Sequence, residues 1–491
     1  MIDAEQIRDS LKISYFNDKG EVAMKDIKIP ESELFEWIEC NPSDPDRVPG
    51  ILSQKKNPVK KKQKRYLNRY RIMEFIRDLP EEDLATIFKP VNIQVTSHDI
   101  EVEIFDNEKP DPSNPNKKIL TMSTCDDAYN IKLYTILPLT PYQIESMEQE
   151  INEYIKDAKI EKRVKVKLKH VAYESEYLML KDFIECDSKS MHLITGWNYL
   201  VFDISYLIAR ANHIGLNPEK ISPTHKIDRI TIRNKYDKKA KHIAHVPLHK
   251  GIIDYMFLFE KWDTSIEIKS SASLDYASEE ILGIKKVKYA GTLMDLYRKN
   301  FYKYAMYNII DSILVEMIHH KIQTLKTMQA IAIEGKTKLL HAMFASILVE
   351  SVFSEMYEMD NVVLIPSKTE KEGSYSGGYV YQPDLGFKDK VFIYDYQAMF
   401  PTLAMWLNAG TDTIIGKMID SEYFEDYNGI KQRVDPKHHI VASSKVVYTK
   451  SKQSIVRKSI SKMLAGRILD QKVSNEINLE IGVLEKLLKK S

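Results

Sequence analysis

The stretch from Val91 to Glu103, VNIQVTSHDIEVE, alternates apolar and polar residues with period two, and it carries the acids Asp99 and Glu101 on one face. Alternate residues of a strand point to the same side of a sheet, so the two carboxylates project together. Like charges placed side by side persist only where solvent or a cation compensates them. The same period returns in KKILTMST and NIKLYTIL, after the run Asp106 to Asn116, whose Pro, Asn and Asp content reads as a surface loop. A helical stretch from Pro141 to Lys156 follows, and further alternation of strands and helices continues to about residue 330. This pattern predicts an α/β (α+β) domain.

Composition narrows the setting. The chain has 491 residues, 43% hydrophobic and 29% charged, enough for about three domains of ordinary globular make-up. A disordered tail protein and a collagen-like chain are excluded. No apolar run approaches the roughly 18 residues that span a bilayer, and the N-terminus lacks the features of a signal peptide. The expectation is therefore a cytoplasmic protein with no membrane partner. Cys40, Cys125 and Cys186 lie far apart and form no CxxC pattern, which argues against a disulfide framework and a cysteine zinc site. Lys+Arg number 71 and Asp+Glu 70, so affinity for nucleic acid has to appear locally. The most uneven segment, Lys55 to Arg71, interleaves basic residues with Tyr66 and Tyr70, a composition suited to phosphate contact and stacking. A solvated basic loop leading into a helix fits it equally well.

Two further sets of residues join the acid pair. Thr195-Gly196-Trp197-Asn198 leads from a strand pattern through Phe202 into the helical DISYLIARANHIGL, which places Asn198 and Asp203 at a strand-to-helix junction. In Tyr304 to Ser312 the helical period sets Tyr307 and Asp311 on one face. An acid inside a helix this apolar needs a partner or a metal to offset burial.

In this order, Asp99-x-Glu101, then Asn198-xxx-Phe202-Asp203, then Tyr307-xxx-Asp311, the residues resemble the three exonuclease motifs of the DEDDy class found in family B DNA polymerases of phage type. Ile253-Asp254-Tyr255, expected on a central strand, and Ser271 to Ala277, opening a helix, agree with the phage branch. The resemblance implies an RNase H-like exonuclease domain with a mixed sheet. In it Asp99, Glu101, Asp203 and Asp311 would bind two Mg²⁺ (or Mn²⁺) ions, Tyr307 would orient the attacking water, and Asn198 and Phe202 would contact DNA. The expected chemistry is removal of 3′ nucleotides by phosphodiester hydrolysis across a metal pair.

Downstream, Tyr375-Ser376-Gly377-Gly378 resembles the YxGG segment that touches the template, so Tyr375, Gly377 and Gly378 are carried as DNA contacts. The apolar run Lys390 to Tyr394, expected as a strand, leads into Asp395-Tyr396-Gln397-Ala398-Met399-Phe400-Pro401, which is similar to polymerase motif A, DxxSLYP. Asp395 would bind the catalytic metals, Tyr396 would assist through its carbonyl, and Phe400 would exclude a 2′-hydroxyl by bulk. Ala398 stands where the family has Ser and Phe400 where it has Tyr, yet the excluding ring remains. Asn408 to Ile414 resembles the loop after motif A. Residues from Ser454 to Lys472 resemble the first fingers helix, with Arg467 as a triphosphate contact and Gln471 at the family's Lys position.

The family's KxxxNSxYG and DTD motifs are absent from the 491 residues. The expected organisation is an N-terminal domain over 1–95 completed by helices of 331–374, the exonuclease over 96–330, an incomplete palm over 375–450 and a first fingers helix over 451–491. The implied function is the N-terminal part of a split DNA polymerase with proofreading 3′→5′ exonuclease activity. Its partners would be primer-template DNA with a single-stranded 3′ end, a second polypeptide supplying the rest of palm, fingers and thumb, and a sliding clamp. The setting would be the host cytoplasm if the chain is of phage origin. A free-standing exonuclease and a non-catalytic DNA-binding subunit with a vestigial palm stand as alternatives.

Overall fold

A computed structural model describes residues 1–7, 10–29, 35–39, 47–49, 59–64, 69–104, 108–160, 164–233, 241–266, 268–286, 291–345, 347–349, 351–353, 382, 386–387, 389–392, 394, 396, 398–467 and 472. It forms two compact units, Met1–Leu348 and Val349–Ser491.

The first unit begins with an antiparallel sheet of β1 (Asp3–Ile7), β2 (Ser10–Phe16) and β3 (Val22–Lys28). Alternation in β2 turns Leu11 and Ile13 inward, where they meet Met73 and Ile76 of the helix Arg69–Arg77 and Ile87 of the helix Glu81–Ile87. Next come β4 (Phe35–Glu39), β5 (Arg47–Pro49) and β6 (Val59–Lys64), with β6 in the centre. About a third of the basic segment, Val59–Lys64, is thus a strand laddered on both sides, where one of the two readings had a loop. Pairing with two neighbours supplies hydrogen bonds that local composition does not reveal.

The larger sheet contains β7 (Val95–Val102), β8 (Ile119–Asp126), β9 (Asn130–Thr135), β10 (Lys167–Ala172) and β11 (Leu193–Thr195). A hairpin of β12 (Ile227–Arg233) and β13 (Lys241–Pro247) then precedes the short β14 (Gly251–Ile252). The sheet order is β10-β9-β8-β7-β11-β14. β7, β8 and β9 run as an antiparallel meander, whereas β10 on one side and β11 and β14 on the other pair in parallel. This mixed α/β arrangement is that of the RNase H-like fold the motifs implied. Ile253-Asp254-Tyr255 does not lie on a central strand: β14 is an edge strand that stops at Ile252. Asp254 instead caps the helix Tyr255–Lys261 by accepting from Met256 N at 3.0 Å.

One long helix, Phe301–Ile322, covers β7 and β8. It starts at Asn300, whose side chain accepts from Lys303 N at 3.1 Å, and stops at Gln323, which takes a left-handed φ of 49°. Small hydroxyls let it sit close to the sheet. Ser97 Oγ donates to Ser312 O at 2.8 Å, and Ser123 Oγ donates to Asn308 O at 2.9 Å. No helix among the described residues is long and apolar enough to cross a membrane.

The second unit contains the helix Met399–Trp406 and an antiparallel sheet of β15 (Ile414–Met418), β16 (Tyr423–Asp426), β17 (Lys431–Arg433), β18 (His439–Val441) and β19 (Val446–Thr449), ordered β17-β16-β15-β19-β18. A helix follows over residues 455–467. Asn408 fastens these parts together. Its Nδ2 donates to Thr449 O and Lys452 O, both at 2.8 Å, and its Oδ1 accepts from Ser454 N at 2.8 Å. The run Lys390 to Tyr394 departs from expectation, since Lys390, Val391, Phe392 and Tyr394 are not in a strand. An apolar run becomes a strand only where a neighbour takes its backbone hydrogen bonds, and no strand among the described residues pairs with it.

Candidate active site

β7 brings Asp99 and Glu101 to one face of the sheet, and the long helix laid across that face supplies Asp311. Oxygens of these three carboxylates lie within 4.8 Å of one another. Asp203 completes the group as the first residue of the helix Asp203–His213, its Oδ1 accepting from Ile100 N at 3.3 Å, which sets it beside Asp99. Acids stabilised at a helix start are held by free N–H groups of the first turn. Tyr307 stands one turn before Asp311 on the same helix.

Burial pushes the Asp99 and Glu101 carboxyls well above the usual carboxylate range, and the neighbouring acids push them further. Asp203 and Asp311 are raised by burial as well, Asp203 also by Asp99. Burial and the Asp311 charge keep the Tyr307 phenol neutral. Against this concentration of acid stands Lys286, whose Nζ donates to Asp311 Oδ2 at 2.6 Å and lies 4.7 Å from the centre of the Tyr307 ring. Burial alone would lower the Lys286 ammonium, but Asp311 and Tyr307 together outweigh it and raise its pKa. Asp311 Oδ1 is buried without a hydrogen bond. Three buried acids and the half-buried Asp99, one ammonium and an orphaned carboxylate oxygen make a cradle that fits divalent cations, since hard cations take carboxylate oxygen.

Two residues of the site escape sequence reasoning, and a third, Asp254, stands at a helix start rather than on the strand expected for it. Asn308, one turn before Ser312, donates from Nδ2 to Asp99 Oδ2 at 2.6 Å and fixes that carboxylate. Lys286 comes from a coil segment with no periodicity to mark it. Asp254 accepts from Leu200 N at 3.0 Å through Oδ2, pinning the turn that leads to Asp203, and burial raises its pKa to about 7. Only the i, i+1 spacing of Asn308 to Tyr307 hinted at either of the first two. In that same turn a Cβ on Gly196 would stand 2.5 Å from His98 O, so the chain passes too close to β7 for any other residue. Asn198 holds a left-handed φ of 61°, and Phe202, half-buried, packs against Tyr206 with ring centres 5.7 Å apart.

The remaining candidates belong to the second unit. Tyr375, Gly377, Gly378 and Asp395 fall outside the described residues. Tyr396 and Phe400 are exposed, as is Arg467 near the end of the helix over 455–467.

Comparison with known proteins agrees with this geometry. Residues 34–251 match the family model described as DNA polymerase family B, exonuclease domain, and residues 336–480 match that of DNA polymerase family B. A DNA-directed DNA polymerase of Escherichia phage RB69 is 25% identical over 395 residues, covering 76% of this chain and 42% of that protein. One from Enterobacteria phage T4 is 21% identical over 301 residues, covering 61% of this chain and 33% of that protein. The chain therefore spans less than half the length of either relative. The helix bearing Tyr307 and Asp311 lies between the two matched regions, and the fold brings it onto the acids of the first.

Proposed function

Because this chain belongs to DNA polymerase family B, of phage type, we propose that its first unit removes nucleotides from the 3′ end of single-stranded or frayed DNA. The observation that carries the reading is the convergence of Asp99, Glu101 and Asp311 within 4.8 Å, with Asp203 alongside. Two Mg²⁺ or Mn²⁺ ions held by these acids would supply a hydroxide nucleophile and stabilise the leaving 3′ oxygen.

The protein's own groups set up the rest. Tyr307, kept protonated, offers an O–H to orient the attacking water, and Lys286 holds Asp311 and the Tyr307 ring in register. Asn308 fixes Asp99, leaving its other oxygen for a cation. Asn198 and Phe202, on the turn before Asp203, would contact the 3′ strand. The test is digestion of a 5′-labelled single strand with Mg²⁺. Asp99→Ala combined with Glu101→Ala is expected to lower the rate by at least about 1,000-fold, as loss of both metal-bridging acids implies. Unchanged digestion would refute the reading.

For the second unit the proposed role is the motif A part of a polymerase palm, with Asp395 as metal-binding acid, Tyr396 and Phe400 at the incoming nucleotide, Arg467 at its triphosphate, and Tyr375, Gly377 and Gly378 on the template. Nucleotidyl transfer also needs the acid of the DTD motif, which a further palm segment would provide. Exposure of Phe392 (81%), Tyr394 (89%), Tyr396 (80%) and Phe400 (78%) supports a surface that such a segment covers. Primer extension by the chain with a polypeptide carrying KxxxNSxYG and DTD, and none without it, is the expected result. Extension by this chain alone would overturn that assignment.

A further inference from the structure

The long helix carries a second polar cluster, farther along than the catalytic one and turned to the opposite end of β7 and β8. Its sequence there is Glu316-Met317-Ile318-His319-His320, so Glu316 stands one turn back from both histidines. Asp127, from the turn between β8 and β9, faces them. Ligand atoms of Asp127, Glu316 and His319 lie within 4.8 Å of one another. His319 Nε2 is 4.0 Å and His320 Nε2 3.9 Å from Asp127 Oδ1, and His320 Nε2 is 3.4 Å from Glu316 Oε1.

Glu316 makes this more than a patch of acids. It is fully buried, and neither of its carboxylate oxygens takes part in a hydrogen bond. The nearby Ser97 hydroxyl is engaged with the carbonyls of Cys125 and Ser312 instead. Among the described residues, only the His320 ring, 3.4 Å from Oε1, sits against Glu316, and a carboxylate taken wholly out of water without a well-formed hydrogen bond is costly unless more positive charge is supplied.

The other donors are already oriented from behind. His319 Nδ1 lies 3.3 Å from Tyr255 OH, which also accepts from Thr324 Oγ1 at 3.1 Å, so the opposite ring nitrogen faces Asp127. Asp127 Oδ2 accepts from Val95 N at 2.9 Å, leaving Oδ1 turned to the histidines. Outer partners that fix tautomer and orientation in this way accompany metal ligands.

We propose that Asp127, Glu316, His319 and His320 form a structural site for a divalent transition ion of the zinc class, separate from the exonuclease acids. Two imidazoles and two carboxylates are a donor set that suits Zn²⁺. Three of the ligand spacings, 3.4 to 4.0 Å, exceed by less than an ångström the edge of about 3.3 Å in a tetrahedron with metal bonds of about 2.0–2.1 Å, and those among Asp127, Glu316 and His319 stay within 4.8 Å. Small side-chain shifts close the site. The ion would tie the long helix to the β8–β9 turn, and through Val95 to the start of β7.

The test uses the full chain with Asp99→Asn and Glu101→Gln, so that the catalytic acids do not dominate metal uptake. After chelator treatment, Zn²⁺ is titrated against a chromophoric competitor. One tight equivalent is expected. Adding His319→Gln with His320→Asn should weaken it by at least about 100-fold, and Tyr255→Phe by about 10-fold, the loss typical of an outer partner. No tight equivalent, or one that survives the double histidine change, overturns the proposal and leaves the cluster as a proton-sharing acid pair beside His320. Should the histidine variant not fold, Co²⁺ added to the chain with both histidines intact decides: intense visible bands of tetrahedral nitrogen and oxygen ligation support the site, and a pale octahedral spectrum refutes it.

Discussion

Replacing Lys286 by Met separates the charge of this residue from its packing. Met keeps an unbranched apolar side chain against the Tyr307 ring, so the change removes chiefly the ammonium at 2.6 Å from Asp311 Oδ2. At an effective dielectric of about 20, unit charges at that separation attract by about 6 kcal/mol. Desolvation of both groups offsets part of this, and removing one partner of a buried pair costs about 3–5 kcal/mol. The Lys286 side chain is 20% exposed and that of Asp311 9%, which places the expected cost at the lower end, about 3 kcal/mol. Urea unfolding in the presence of a chelator measures it. Repeating the measurement with millimolar Mg²⁺ should recover a large part of the loss, because cations in the acid cluster then take over the compensation that the ammonium gave. Equal stability of variant and parent in chelator, to within about 0.5 kcal/mol, would refute the assignment of Lys286 as the counter-charge of a buried acid cluster.

Asn308→Leu leaves Asp99 without its 2.6 Å donor, so exonuclease turnover should fall by about 10- to 100-fold while strand binding, followed by fluorescence anisotropy, stays within about twofold. Arg210→Met leaves Glu176 buried without the guanidinium that donates to it at 2.9 and 2.8 Å, and chemical unfolding should show a loss of about 3–5 kcal/mol. Burial lowers the Lys250 ammonium to about 8 from 10.5, so the unfolded chain holds that proton over a range where the folded chain has released it. Stability should therefore gain from this residue as pH rises from about 8 towards 10.5, and Lys250→Met should remove that increment from the pH profile of unfolding.

What could be read from the sequence was whatever is paid for locally. A pair of carboxylates on one strand face, or an acid within an apolar helix, is conspicuous because its burial has to be compensated. Asp99, Glu101, Asp203 and Asp311 could therefore be picked out, and the order of their motifs pointed to the sheet that unites them. Asn308 and Lys286 were hidden because each acts through contacts with residues far off in the chain. The edge position of β14 was hidden for the same reason. It depends on which strand has no outer neighbour, and that is a property of the whole sheet. The run Lys390 to Tyr394 shows the reverse case, where a strand-like composition is present but no described strand accepts its ladder. In the basic segment the ladder to β4 and β5 overrode a composition that reads as a loop.

The helix Phe301–Ile322 runs through 22 residues without interruption. Tyr307 and Asp311 serve one cluster, and Glu316 and His319 the other. At 3.6 residues per turn, one residue inserted between Asp311 and Glu316 would rotate one set against the other by about 100° and move it about 1.5 Å along the axis. Sequence change in this stretch can then proceed by substitution but not by insertion or deletion. Among relatives, the spacing from Tyr307 to His319 should stay constant even where the residues between them do not.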